Sequence, residues 1–354
     1  MLIYITFATI VFIGGFAKQS RTIYKTSLVV LFILTAFRKP DWGGYDSLIY
    51  MNLYKTIPVL SKLKGFESDY GIGYVILNSL SKTIANNYIL FQVLLALITI
   101  FLINRIVEKA ELKDTEKCFF IFSYFCYRFM WNTWVTYRQN ISNLIVWLLI
   151  IILWKRRTVK ETTTLIAGCA AASVFHSSSI ANCILIPAAR MLERFNVKKR
   201  LLIVSFTSVF LWGVGGKIFL LLLNFASSRI DARYGMYSLA SVGTSNGINF
   251  IFRMTVFVFL CVFYDNFSYP NKDIALSALS VMVLLGSIQS ELMLRLYEYY
   301  AIGLYLTLAT CLEVFREKSR VIAALVFYLV MISIMIRGVM TFSDGVFVSY
   351  QAFF

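Results

Sequence analysis

Residues 88–105 read YILFQVLLALITIFLINR, a stretch in which the only charged side chain is the last one. An α-helix needs about 20 consecutive, mostly apolar residues to cross the hydrocarbon core of a bilayer. Similar runs of roughly 15 to 22 apolar residues recur along the whole chain. Of the 354 residues, 59% are hydrophobic and 15% are charged. The sequence therefore predicts an all-α polytopic integral membrane protein, with residues 1–354 forming a single transmembrane domain.

The basic residues predict the orientation of these helices. The net charge is +16, and Lys and Arg cluster in short segments between the apolar runs, as the positive-inside rule expects. We therefore assign the positive charge to topology and expect no nucleic-acid partner. We predict about 12 transmembrane helices with both termini outside, at residues 2–17, 26–37, 88–105, 118–135, 140–154, 162–175, 179–192, 201–223, 248–265, 274–289, 296–312 and 321–342.

The stretch YGIGYVILNSLSKTIA, residues 70–85, is apolar on one helical face and polar on the other. We assign it as an interfacial or re-entrant helix, because a further crossing there would move the later basic clusters to the opposite side. Outer loops 38–87 and 224–247 then become the predicted substrate-binding loops. The remaining polar landmarks of the chain also fall on the outer face.

Arg138 lies in TWVTYRQNISNLIVW, residues 133–147, among apolar and aromatic side chains. A guanidinium group stays charged in a protein, so burying it is costly. Arg138 is either a snorkelling interfacial arginine or an anion-binding group that faces a cavity. The neighbouring Tyr137, Gln139 and Asn140 add hydrogen-bonding groups, which favours the anion site.

Arg295 has Glu291 four residues before it and Tyr299 four residues after it. This spacing fits a structural ion pair between Glu291 and Arg295. It fits equally an arginine that its neighbours orient towards a phosphate group.

Both predicted outer loops carry charged and aromatic candidates. The first contains Arg38, Asp41, Asp46 and Tyr50, of which Asp46 and Tyr50 would project together from a helix. The second contains Arg229 and Arg233 in a segment rich in Gly, Ser and Asn, which is either a plain solvated loop or a segment that closes over a substrate.

His176 is the only histidine of the chain, in FHSSSI. It is the default candidate for a general base, because its ordinary pKa lies near neutrality, although a lone histidine is commonly structural. The six cysteines lie in apolar runs without a CxxC pair, and the chain has no P-loop and no DxD pair. We therefore expect no metal and no cofactor.

Five segments, in this order, resemble the motifs of EpsG-like, Wzy-type polysaccharide polymerases. They are FRKPDWGGYDSLIY at 37–50, DYGIGYVILNSL at 69–80, YRQNISN at 137–143, FHSSSI at 175–180 and RLYEYY at 295–300. Two departures occur: Asp69 replaces the usual Glu, and Asp46 follows Gly-Tyr where the family has Asp directly after Gly.

The resemblance implies a GT-C-like, metal-independent membrane glycosyltransferase that acts as an O-antigen or related surface polysaccharide polymerase. Such an enzyme transfers a growing glycan from undecaprenyl pyrophosphate to a lipid-linked repeat unit at the periplasmic face of the bacterial inner membrane. By resemblance, Arg138, Arg295 and Arg38 bind pyrophosphate, and His176 is the base, with Asp46 or Asp41 as competitors. Arg229 and Arg233 steer the second lipid-linked substrate. The implied partners are undecaprenyl-pyrophosphate-linked oligosaccharides, membrane lipids and a chain-length regulator protein.

Three other functions fit parts of the sequence. A lipid-linked oligosaccharide flippase would carry charges through the depth of its cavity, whereas the charges here gather at one face. An O-antigen ligase performs similar chemistry on finished chains, and the order of the motifs favours a polymerase. A membrane acyltransferase needs a cytoplasmic acyl donor, which does not suit candidates on the outer face.

Overall fold

The computed structural model describes residues 1–43, 45–68, 70–155, 158–219, 221, 224 and 247–352. Within these ranges the regular secondary structure is helical, apart from an isolated bridge between Arg38 and Ala352, which confirms the prediction of an all-α protein. The α-helices are α1 (Leu2–Gly14), α2 (Ser20–Ala36), α3 (Tyr45–Thr56), α4 (Ile72–Ile84), α5 (Tyr88–Lys109), α6 (Asp114–Tyr124), α7 (Tyr137–Leu153), α8 (Val159–Ala172), α9 (Asn182–Leu192), α10 (Val197–Phe210), α11 (Gly247–Val262), α12 (Lys272–Gly286), α13 (Glu291–Tyr297), α14 (Ile302–Thr310) and α15 (Glu317–Thr341).

Each predicted span overlaps helical residues, because a backbone in lipid must satisfy its own hydrogen bonds. In the described part of the chain, three helices are long and apolar enough to cross a membrane: Tyr88–Lys109, Val197–Phe219 and Glu317–Thr341. Four shorter apolar helices are Leu2–Gly14, Tyr137–Leu153, Gly247–Val262 and Ile302–Val314. The number of crossings stays a prediction.

Packing separates the chain into two compact units. Unit 1 contains Met1–Ile152, Gly168–Ser177 and Phe315–Phe354, and unit 2 contains Leu153–Ala167 and Ser178–Val314. The single transmembrane domain over residues 1–354 remains a prediction.

Unit 1 has an aromatic core that fixes the position of α7. The ring of Phe7 lies 4.7 Å from that of Phe125, and Trp134 is fully buried. After α6 the chain continues through two π-helical segments, Phe125–Phe129 and Trp131–Val135. Such wide turns are frequent at functional sites, and here they end where α7 begins. They place Arg138 in the first turn of α7.

The predicted outer loop 38–87 is largely helical, since α3 and α4 both lie within it. The polar face of α4 points inward, and Ser79 donates a hydrogen bond to the carbonyl of Pro58 at 2.7 Å. The buried polar residues of α4 are Asn78, Ser79 and Ser81, and its exposed stripe is Ile72, Ile76, Leu80 and Ile84. A stripe of this kind suits contact with lipid, because burying it would require a further apolar partner. An internal polar face explains why hydropathy alone did not place this helix.

Unit 2 is built around α12 and α14, which approach closely at Gly303. A Cβ atom there would lie 2.6 Å from the carbonyl oxygen of Ala275. At the start of α10, Arg200 is buried and donates to Ser277, whose hydroxyl donates to Glu193 at 2.9 Å. The Nη1 of this buried guanidinium is therefore linked through Ser277 to the Glu193 carboxylate.

Candidate active site

The side chain of Arg138 lies in a cage of three tyrosine rings in unit 1. Its Cζ lies 4.4 Å from the ring centroid of Tyr70, 5.4 Å from that of Tyr50 and 5.5 Å from that of Tyr74. Its Nε donates a hydrogen bond to the Tyr50 hydroxyl at 3.2 Å. The guanidinium is half-buried, so the cage orients the charge without sealing it from a ligand. We call Tyr50, Tyr70 and Tyr74 the tyrosine cage.

Tyr137 supports this cage from behind. Its ring lies 4.1 Å from that of Tyr50, and its hydroxyl lies 3.3 Å from that of Tyr74 and 3.2 Å from that of Tyr88. Tyr137 belongs to a buried cluster that also contains Tyr54 and Phe91. Rigid packing behind a charged group keeps that group in one geometry, which an anion site requires.

The hydroxyl of Tyr50 is held in its neutral form. Burial raises the pKa of Tyr50, the Arg138 guanidinium opposes part of that rise, and the Asp46 carboxylate adds to it. A neutral hydroxyl accepts from Arg138 and keeps its own proton to donate to an anion. The role of Tyr50 as a substrate ligand stays a prediction, and the hydrogen bond from Arg138 fixes the position that its hydroxyl would have in that role.

His176 follows a segment that packs on the base of the cage. The amide of Gly73 donates to the carbonyl of Val174 at 2.8 Å, and Phe175 packs against the buried cluster that contains Tyr137. A Cβ atom on Gly71 would clash with the Val174 carbonyl and would lie 2.8 Å from that of Phe175. The glycines of the DYGIGY motif are thus needed for this close approach. Half-buried His176 comes directly after it in the chain.

Arg38 is buried, with 2% of its surface exposed. The sequence had instead predicted a pyrophosphate ligand in an open loop. Its Nη1 donates to the carbonyl of Trp42 at 2.7 Å, and its own carbonyl accepts from Gln92 at 3.3 Å. Trp42 donates in turn to the carbonyl of Val346 at 3.0 Å. Arg38 holds the turn that leads into α3. At Gly43 this turn has a φ of +135°, which explains the glycine of the motif.

The two aspartates occupy different settings. Asp41 is exposed and forms a 3.3 Å ion pair with Lys39 at the surface, which contributes little to stability. Asp46 lies in the first turn of α3, one helical turn before Tyr50. The predicted projection of Asp46 and Tyr50 from one face therefore falls on a helix, and the Asp46 charge acts on Tyr50 of the cage.

Gln139 and Asn140 do not share the orientation of Arg138. Successive residues on an α-helix project about 100° apart, and Gln139 is buried. Asn140 is also buried and accepts a hydrogen bond from the Tyr124 hydroxyl at 3.0 Å. The role of Gln139 as a substrate ligand stays a prediction.

Unit 2 holds the second predicted arginine. Arg295 is half-buried in α13, which is followed by the 3-10 turn Glu298–Tyr300, so the α-helical spacing between Arg295 and Tyr299 does not continue. The hydroxyls of Tyr299 and Ser178 lie 2.9 Å apart.

Glu291 begins α13, and its side chain lies outside the described part. Arg229 and Arg233, with most of the predicted loop 224–247, also lie outside the described residues.

Arg253 is a buried arginine that was not among the site residues predicted from the sequence. It is fully buried in α11, with its Cζ 4.4 Å from the ring centroid of Tyr297 and Nη2 donating to the carbonyl of Gly286 at 3.3 Å. A Cβ on Gly286 would lie 2.9 Å from Nη2, so the glycine makes room for the guanidinium. A charge in the middle of an apolar helix was the available signal.

Among the described residues, no group of three His, Cys, Asp or Glu side chains is arranged to hold a metal ion. The six cysteines are free thiols, and five of them are buried.

The similarity to known proteins comes from a family model. The model of the EpsG family matches residues 21–352, which includes the tyrosine cage, Arg138, His176 and Arg295. No curated protein and no solved structure gives a match. Because the match covers nearly the whole chain, the protein belongs to the EpsG family, which indicates a membrane polysaccharide polymerase of the general Wzy-like kind.

Proposed function

We propose that the protein polymerises an O-antigen or a related surface polysaccharide, using lipid-linked oligosaccharides as both donor and acceptor. The observation that carries this proposal is the Arg138 guanidinium, oriented by the tyrosine cage beside the segment that leads to His176. A guanidinium that is held in position in the first turn of an apolar helix suits a pyrophosphate group, which it can bind through charge-assisted hydrogen bonds.

The proposed reaction is a glycosyl transfer. A hydroxyl oxygen of the acceptor sugar forms a bond to the anomeric carbon of the donor, and the bond from that carbon to the pyrophosphate oxygen breaks. The hydroxyl proton passes to a base, and undecaprenyl pyrophosphate leaves with the bonding electron pair. Arg138 stabilises the negative charge that develops on this leaving group. Arg295 in unit 2 keeps its predicted role as a second pyrophosphate ligand.

His176 is the proposed base, because neutral imidazole accepts a proton near physiological pH. Asp46 is the favoured competitor, since it lies one turn from Tyr50, whereas Asp41 is paired with Lys39. Arg38, buried against the Trp42 carbonyl, acts as a positioning residue for α3.

The proposed enzyme also has an expected subcellular location and expected partners. The enzyme is a multi-pass protein of the bacterial inner membrane with its site on the periplasmic face, and a separate chain-length regulator acts with it. Arg229 and Arg233 steer the acceptor. Arginine side chains supply the positive charge, so we expect polymer formation to continue in EDTA.

A gel of surface polysaccharide from the source bacterium tests this proposal. Deletion of the gene is expected to leave lipid A–core with a single repeat unit. Arg138→Ala and His176→Ala should fail to restore the ladder at equal expression. Arg105→Ala is the matched control, because Arg105 is 45% exposed at the far end of α5. Bare core after deletion would instead indicate a flippase or a ligase, and a normal ladder with both site variants would refute the assignment.

A further inference from the structure

A cavity of about 430 Å³ opens between the end of α3 and the start of α5 in unit 1. Its lining includes Tyr54, Lys55, Lys82, Asn86 and Tyr88. Small-molecule sites commonly measure about 300–1,000 Å³, so this cavity is large enough for a ligand. None of the roles assigned above uses it.

The walls of the cavity are held in place by hydrogen bonds. The ammonium of Lys82 donates to the carbonyls of Tyr54, Lys55 and Ile57 at 3.1, 2.9 and 2.7 Å. These bonds cap the end of α3 and occupy the charge of Lys82. The ring of Tyr54 lies 5.3 Å from that of Tyr88, edge to face. The cavity is therefore pre-formed, with aromatic surface on one side.

The groups that remain for a ligand are mainly neutral. Asn86 and Asn87 are exposed amides in the lining, and the Oδ1 of Asn87 accepts from the amide of Ile89 at 2.8 Å, which leaves its NH2 group for a ligand. Lys55 is an exposed cation in the lining. Amide groups beside tyrosine rings match the hydroxyls and apolar C–H faces of sugars, whereas a phosphate site would use converging guanidinium groups.

The cavity is linked to the tyrosine cage by contacts that run through Tyr88 and Tyr137. Tyr88 lines the cavity, and its hydroxyl lies 3.2 Å from that of Tyr137. The ring of Tyr137 packs 4.1 Å from that of Tyr50, which accepts the hydrogen bond from Arg138. A glycosyl pyrophosphate needs an anion site and a neighbouring sugar site, and these two features lie within one packed cluster.

We propose that this cavity is a saccharide subsite, which binds a sugar segment of the lipid-linked substrate while Arg138 binds its pyrophosphate. The inference rests on the function proposed above and adds the residues that recognise the glycan: Asn86, Asn87 and Tyr88 contact the sugar, and Lys55 pairs with an acidic substituent where the repeat unit carries one.

Binding measurements on the full-length protein in nanodiscs test the subsite. One probe is lipid-free oligosaccharide released by mild acid from the surface polysaccharide of the source strain, and the other is inorganic pyrophosphate. Asn86→Trp fills the cavity and is expected to weaken oligosaccharide binding at least about tenfold while leaving pyrophosphate binding within about twofold. Asn52→Trp, at an exposed position of α3 outside the lining, should change neither. Arg138→Ala should show the opposite selectivity.

Asn86→Ala gives a second reading if the tryptophan variant does not fold. Loss of one hydrogen bond predicts oligosaccharide binding about threefold to tenfold weaker. Oligosaccharide binding that is absent from the unmodified protein, or unchanged in the Asn86 variants, overturns the subsite. Failure of the proposed function is seen separately in the gel of surface polysaccharide, as bare core after gene deletion or as a normal ladder with both Arg138→Ala and His176→Ala.

Discussion

The hydrogen bond between Arg138 and Tyr50 permits a test in which one atom is removed. Tyr50→Phe deletes the hydroxyl that accepts from Nε of Arg138 at 3.2 Å and keeps the ring 5.4 Å from the guanidinium. The variant therefore separates the hydrogen bond from the cation–π contact. Packing should be preserved, because the ring still contacts Tyr137.

The expected effect follows from the value of a charged hydrogen bond. Such bonds contribute about 1.5–3 kcal/mol, and we take the lower end because the Arg138 guanidinium is half-buried. A loss of about 1.4 kcal/mol in the transition state corresponds to a tenfold slower reaction. We therefore expect Tyr50→Phe to lower the rate of polymer formation about tenfold, measured with purified enzyme in nanodiscs and lipid-linked repeat units.

Tyr70 supplies the matched controls. Its ring lies 4.4 Å from the Arg138 guanidinium, and the described contact is with the ring. Tyr70→Phe should therefore leave the rate within about twofold, whereas Tyr70→Leu removes a cation–π contact of about 0.5–2 kcal/mol and should slow the reaction. Equal rates for Tyr50→Phe and Tyr70→Phe, at equal thermal stability, would refute the reasoning.

Three further predictions concern stability. Gly286→Ala should lower the free energy of unfolding by about 1–3 kcal/mol, because its Cβ would lie 2.9 Å from Nη2 of Arg253. The control is Gly338→Ala, where no heavy atom lies within 4 Å of the added Cβ. Equal Tm values for the two variants would contradict this prediction. Lys82→Met removes three hydrogen bonds to backbone carbonyls and should speed limited proteolysis within residues 57–68, so an unchanged cleavage rate would count against it. Burial raises the pKa of Tyr50 in the folded state, so the stability that its protonated hydroxyl contributes is present below pH about 10 and is lost as the pH rises further. The denaturant midpoint should therefore fall less steeply at alkaline pH for Tyr50→Phe than for the unmodified protein.

The tertiary structure shows the surroundings of several predicted site residues, whose roles stay predictions. Arg138 was chosen because a charge among apolar residues is costly, and the structure gives it aromatic and hydroxyl partners. Gln139 was chosen because it adds a hydrogen-bonding group directly after Arg138, and the structure shows that it is buried. Arg38 was expected in an open loop, and the structure buries it and bonds it to the Trp42 carbonyl.

Helix α4 shows why periodicity was not enough. Its alternation of polar and apolar faces is clear in the sequence, but the same pattern fits a helix with its polar face towards water or towards protein. The bonds of Ser79 to Pro58 and of Lys82 to the end of α3 decided between them. These partners lie more than 20 residues away in the chain, where local patterns carry no information.

The sequence by itself determined that this protein is helical and belongs in a membrane, because lipid offers no hydrogen-bond partners and long apolar runs must satisfy their own backbone. The order of its short motifs also pointed to the EpsG family, which the family match confirmed. Only the tertiary structure decided which side chains surround Arg138. Tyr50 lies 88 residues before it, and Tyr70 and Tyr74 come from another segment, so the cage exists only when packing brings α3, α4 and α7 together.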